Sequence, residues 1–199
     1  MFKTATPLIL LGFCLSGAAV AQVMPYRMTT NQVTYQINYN APYQGDAATR
    51  TAAATWTNLG SRFQLVDGGF TSVDEANQYA SSDVPGVQIS TRPASFYPND
   101  PYWHALTWWT LATTTTASDA DITLNADRIA AGAYYYGTGT PPSNQYDYQS
   151  VLTHEFGHVA GFQHDPNSTT CVMRPKQLVA ELKRTPCAAE ATALRNKYP

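Results

Sequence analysis

Charge is scarce in this 199-residue chain: only 13% of its residues are Asp, Glu, Lys or Arg, with 12 basic against 14 acidic. It lacks the basic excess that a phosphate backbone or an anionic membrane surface selects, so neither is an expected partner. Cysteine is scarcer, with three in all. Long apolar runs are missing beyond residue 20, and a bilayer span needs roughly 20 such residues. There is no internal repeat and no composition shift that would mark a second domain. Histidine is rare too, yet three of the four fall within one eleven-residue run, His154 to His164.

What is present begins with an export signal. Lys3 is the only charge before an apolar stretch from Leu8 to Val20, and Ala19-Val20-Ala21 gives an A-x-A cleavage pattern. The expected division is therefore a signal peptide over residues 1–21 and one domain over 22–199, long enough for a proper core. Phe13 before Cys14 argues against a lipoprotein. Without Lys3 the chain carries 11 basic and 14 acidic residues, a net charge of −3. The expected location is extracellular or periplasmic, and a monomer is expected. Cys14 leaves with the signal. Cys171 and Cys187 remain as a pair in an oxidising compartment, either bridged or as two thiols. A bridge closing about 15 residues would contribute roughly 3 kcal/mol on the chain-entropy model.

Val33–Tyr39 alternates apolar and polar residues with strand period. Asp46 can cap a helix over Ala47–Leu59, stopped by Gly60. Phe63–Val66 reads as a short strand closed by Asp67-Gly68-Gly69, which completes a strand–helix–strand unit of the kind that builds a parallel pair. Further strands are expected at Val87–Thr91, Ala105–Thr113 and Asp121–Asn125. Loops are expected at Ala94–Tyr102 and Gly132–Tyr146. Asp147 can cap a helix that ends at Gly161, and a last helix is expected from a Thr185 cap, with Pro186 in its first turn, to Lys197. The fold class is α+β, or mixed α/β, with one sheet.

His154-Glu155-Phe156-Gly157-His158-Val159-Ala160-Gly161-Phe162-Gln163-His164 carries the chemistry. Residues four apart share a helix face, so His154 and His158 can converge on one ion. Leu152, Phe156 and Val159 fall within about 60° of one another on the opposite side, at ~100° per residue. A catalytic zinc usually takes three protein ligands and keeps one position for water. Gly161 can end the helix with positive φ and swing His164 back as the third ligand. Glu155 follows the first ligand and lies off the metal-binding face. Zinc lowers the pKa of water from ~15.7 to about 7, and a carboxylate beside it can take the proton and later deliver it to a leaving amine. A purely structural zinc would want a fourth protein ligand, for which Asp165 and His104 are the spare candidates.

The pattern H-E-x-x-H-x-x-G-x-x-H with Cys171-Val172-Met173-Arg174-Pro175 downstream resembles the metzincin zinc endopeptidases and their methionine turn. The resemblance implies zinc on His154, His158 and His164, Glu155 as general base, and Met173 packed under the metal without binding it. It also implies a twisted, mostly parallel sheet above a cleft, with the active-site helix and a small C-terminal part below. Ala105–Leu111 resembles the antiparallel edge strand that binds substrate backbone by strand addition. Asp121–Asn125 resembles the next strand of the matrixin branch, whereas Asp165 after the third histidine and the Cys-x-Met turn look more like the adamalysin branch. Related enzymes often bind calcium, for which Asp119, Asp121 and Asp127 are candidates. Little sequence precedes Val33 and no cysteine-switch motif is present, so latency is expected from elsewhere. Trp103, Trp108, Trp109 and Tyr134–Tyr136 are candidates for substrate subsites or for packing. The expected activity is secreted, zinc-dependent endopeptidase action on protein or peptide substrates. The alternative is a non-catalytic, zinc-stabilised secreted binding domain, which would have no need of Glu155.

Overall fold

The computed structural model describes residues 21–73, 86–96 and 103–199; the expected signal before Ala21 and most of the loop Ala94–Tyr102 lie outside them. In chain order the elements are β1 (Arg27–Met28), β2 (Gln32–Asn38), α1 (Asp46–Thr57), β3 (Gln64–Thr71), β4 (Val87–Arg92), β5 (Ala105–Thr113), β6 (Thr116–Asn125), α2 (Ala126–Ala130), β7 (Tyr134–Tyr135), β8 (Tyr146–Asp147), α3 (Tyr148–Val159) and α4 (Ala188–Lys197). Strand period sends Val33, Tyr35 and Ile37 of β2 into the core. The strand–helix–strand unit forms as expected, with β2 and β3 parallel. β4 pairs in parallel with β2 and with β6, and β1 adds in parallel to the start of β6. β5 pairs antiparallel with β6. The result is a mixed α/β fold with a mostly parallel sheet and an antiparallel edge strand.

Several boundaries differ from the sequence reading. Asp46 lies inside the first turn of α1, and Gly45 occupies the cap position. Tyr148 explains the glycine there, because a Cβ on Gly45 would run into its ring. The third strand does not stop at Asp67 but continues to Thr71, with a register break opposite Tyr35–Ile37 that absorbs Gly69 at φ +76°. A bulge thus does what a turn was expected to do. Gly132–Tyr146 contains the short parallel ladder of β7 and β8 at its two ends. The last helix starts at Ala188 with Cys187 as its cap, not at Thr185.

α1 and α3 pack together beneath the sheet. Trp56 of α1 is fully buried and donates its indole N–H to the Thr153 carbonyl of α3 at 2.7 Å. Its ring lies 5.2 Å from that of Phe162. The apolar back of α3 is as the sequence indicates: Leu152, Phe156 and Val159 are buried, and Phe156 meets Tyr35 of the sheet edge-on at 5.5 Å. The segment before β1 reaches the end of this helix. Val23 bridges antiparallel to Phe162, Met24 N donates to Gly161 O at 2.8 Å, and Gln163 N donates to Gln22 O at 2.9 Å. Cys171 and Cys187 are bridged, with Cα atoms 5.0 Å apart. No helix among the described residues is long and apolar enough to cross a membrane.

Candidate active site

Asp147 caps α3, accepting from Ser150 N at 2.9 Å, and is itself held by Arg184, whose Nε donates to Asp147 Oδ2 at 2.8 Å. The helix so fixed presents His154 and His158 one turn apart. Gly161 then adopts φ +83°, a left-handed conformation that costs glycine little, and the chain reverses to bring His164 alongside. The three Nε2 atoms lie 3.1, 3.1 and 3.2 Å from one another.

Those nitrogens are poised as lone pairs. His154 Nδ1–H donates to Val172 O and His158 Nδ1–H to Phe162 O, both at 2.9 Å. Each bond fixes the tautomer that leaves Nε2 unprotonated, as a metal-binding imidazole requires. Two such lone pairs facing each other at 3.1 Å repel unless a cation lies between them. The geometry fits zinc. A point equidistant from the three nitrogens lies about 1.8 Å from each, within the ~2.0–2.1 Å that zinc–imidazole bonds span, so these three residues would hold the ion together. Burial also keeps the rings neutral. Desolvation pushes the His154 pKa down and the His158 pKa well down, and desolvation with the nearby His154 lowers His164 to about 4.

No carboxylate or cysteine joins the three histidines as a fourth ligand among the described residues. Asp165 is turned into its own loop, where Oδ1 accepts from Asn167 N at 3.0 Å. His104 lines the same cavity but stands apart from the histidine cluster, with Nδ1 3.1 Å from the Tyr134 hydroxyl and its ring 4.0 Å from that of Tyr146. The spare candidates for a structural site are therefore occupied elsewhere. The calcium candidates are dispersed: Asp119, Asp121 and Asp127 accept from the separate amides of Gly86, Gln88 and Ala94. No calcium cage is gathered from them among the described residues.

Glu155 is buried, and its Oε2 accepts from Thr107 Oγ1 of β5 at 2.7 Å. Burial raises its pKa to about 7, against the opposing pull of the Thr107 hydrogen bond. Met173 is buried below α3, and a Cβ on Gly157 would strike its Sδ, so the helix and the methionine turn touch at a glycine. The turn is held by Glu190 of α4, a residue the sequence reading missed. Its carboxylate accepts from Met173 N and Cys187 N, each at 2.8 Å, and from Val172 N at 3.2 Å. Burial nonetheless leaves the Glu190 pKa raised. The signal was present as Glu three residues after the true cap at Cys187, hidden by the choice of Thr185. Thr107 was missed as well, as one threonine in an aromatic, β-branched strand.

A cavity of about 810 Å³ opens beside the three histidines, walled in part by Trp103, Arg128, Tyr146, Val151, Lys176 and Leu178. Tyr146, at the end of the expected loop Gly132–Tyr146, and Arg174–Leu178 after the methionine turn both contribute to the wall. Of the candidate subsite aromatics, Trp103 and Trp109 line the cavity; Trp108 and Tyr134–Tyr136 do not. Tyr134 and Tyr136 pack on Tyr148 instead.

The family model for matrixin, peptidase M10, matches residues 22–185. No curated protein matches the chain. Among solved structures the chain is similar to high choriolytic enzyme 1, a hatching enzyme zinc-protease from Oryzias latipes (medaka fish). The identity is 10%, covering 91% of this chain and 94% of that one, with a TM-score of 0.43.

Proposed function

The chain belongs to the matrixin family of zinc metalloendopeptidases, and from that premise we propose that it is an exported enzyme whose catalytic base is Glu155 and whose zinc ligands are His154, His158 and His164. The observation that carries this reading is the convergence of three imidazole Nε2 atoms within 3.2 Å, two of them with their tautomers set by backbone carbonyls. A zinc ion held there supplies Lewis acidity and acidifies water near neutral pH.

The remaining work falls to the protein. A substrate strand adds to the edge of β5 that faces the cleft, since among the described residues β5 pairs only with β6. Main-chain hydrogen bonds then hold the scissile peptide beside Glu155. Glu155 takes a proton from the attacking water as the new C–O bond forms and gives it to the amide nitrogen as the C–N bond breaks. Side chains of the substrate enter the cavity between Tyr146 and Leu178. Export rests on the Lys3, Leu8–Val20 and Ala19-Val20-Ala21 pattern and on the disulfide, which suits an oxidising compartment.

The test is Glu155→Ala. Zinc content is expected to stay at the wild-type level while cleavage of a denatured protein falls by about 10²–10⁴-fold, the usual scale of acid–base help. Unchanged hydrolysis by that variant would sink the reading.

A further inference from the structure

Glu155 has a partner outside its own helix. Its neighbour in space is the edge strand β5, two inward-facing residues of which grip α3. Thr107 Oγ1 lies 2.7 Å from Glu155 Oε2 and 3.3 Å from the Glu155 carbonyl. Trp109, the next residue on that face of the strand, donates its indole N–H to His158 O at 3.2 Å and sets its ring edge-on to the imidazole at 5.9 Å. Strand residues two apart rise by roughly 6.6 Å and helix residues three apart by roughly 4.5 Å, close enough for both grips to hold together. Thr107 and Glu155 are both largely buried, and both border the cavity beside the three histidines.

We infer that Thr107 is a positioning residue, which pins one carboxylate oxygen of Glu155 and so presents the other to the attacking water. This inference rests on the reading of Glu155 as the base. A hydroxyl has one proton to donate, and the 2.7 Å contact is the short, charge-assisted one. With Oε2 so held, the carboxylate cannot rotate about its terminal torsion, which is otherwise broad. The same strand offers its backbone to the substrate, so the scissile peptide and the base take their positions from one element.

Two variants at one site test this. Thr107→Val keeps the shape and removes the donor; Thr107→Ser keeps the donor and removes the methyl. Thr107→Val is expected to lower kcat by about 10–100-fold, part of the acid–base contribution. KM should stay within about twofold and zinc content should not change. Thr107→Ser should recover kcat to within about threefold of wild type. A crystal structure of zinc-loaded Thr107→Val should show the Glu155 carboxylate rotated or split between positions. The inference is overturned if Thr107→Val keeps wild-type kcat, if Ser and Val lose activity equally, or if the Glu155 carboxylate stays in place in the Val variant. Glu155→Ala, assayed alongside, separates the two failures. An inactive Glu155→Ala with a fully active Thr107→Val rejects only the positioning role, whereas an active Glu155→Ala rejects the base itself.

Discussion

Gly161→Ala is the sharpest perturbation of the ligand geometry that leaves every ligand in place. Gly161 sits at φ +83° between the second and third histidines. A Cβ there would lie 2.9 Å from the Tyr26 carbonyl oxygen, a backbone atom, and 2.6 Å from Lys197 Cε, the far end of a flexible side chain. Left-handed backbone costs an L-residue roughly 1–2 kcal/mol. Lys197 can move aside, but it then gives up the hydrogen bond from its Nζ to Met24 O at 2.9 Å, worth about 0.5–1.5 kcal/mol. Together these amount to about 1.5–3.5 kcal/mol, before any shift of Tyr26. Relief by moving the turn displaces His164, so zinc affinity should fall by at least about 10-fold, the scale seen when a ligand's supports are removed. Urea unfolding of the metal-free variant measures the first quantity, and competition with a chromogenic chelator measures the second. Gly161→Asn should recover part of the loss, because Asn tolerates the left-handed region better. A Gly161→Ala protein within about 0.5 kcal/mol of wild type, the usual spread for a neutral surface change, and with unchanged zinc affinity would refute the account of the turn.

Two further outcomes are expected. In the metal-free protein the lowered pKa values of His154, His158 and His164 mean that the unfolded chain takes up protons near the ordinary value of 6.5 while the folded chain resists. Their contribution is intact above that value and is lost as pH falls toward about 4. Glu155, raised from 4.5 to about 7, works the other way: its contribution is present below 4.5 and lost as pH rises through 7. Glu190, also raised by burial, works in the same sense as Glu155; three histidines outweigh the two carboxylates, so urea midpoints should drop between about pH 7 and pH 5, and flat midpoints would refute this. Replacing Cys171 and Cys187 together by Ala should cost roughly 3 kcal/mol on the loop-entropy model. It should also weaken zinc binding, since Met173 lies two residues from Cys171; thermal unfolding and metal titration read the two effects.

The legible parts of this molecule were those set by local period and spacing. His154 and His158 follow from the helical repeat, the reversal follows from Gly161, and the buried back of α3 follows from Leu152, Phe156 and Val159. The alternation of β2 and the aromatic run of β5 were equally plain. Expectations failed where a distant contact overrode a local preference. Gly45 takes the cap that Asp46 was expected to supply because Tyr148, about a hundred residues on, leaves no room for a side chain. β3 runs through two glycines because its partner β2 can shift register there. Asp165 looked like a spare ligand, but its loop folds back on itself and closes with Asp165 N donating to Met173 O at 2.8 Å.

The supports of the site were invisible for the same reason, and they share a design. Several groups of the site are held from outside α3: His154 by the Val172 carbonyl, Glu155 by Thr107, and the methionine turn by Glu190, whereas His158 is held locally by the Phe162 carbonyl. Gly161 and Gln163 are held by Met24 and Gln22, almost 140 residues upstream. None of the distant partners has a spacing that marks it, because Val172, Met24 and Gln22 act through backbone carbonyls or amides, and Thr107 and Glu190 are single polar residues in unremarkable runs. Gln22 is the residue expected to become the new N-terminus, and its carbonyl takes the Gln163 amide next to His164. Val23 bridges antiparallel to Phe162 beside it, so residues 22–24 brace the loop that carries His164.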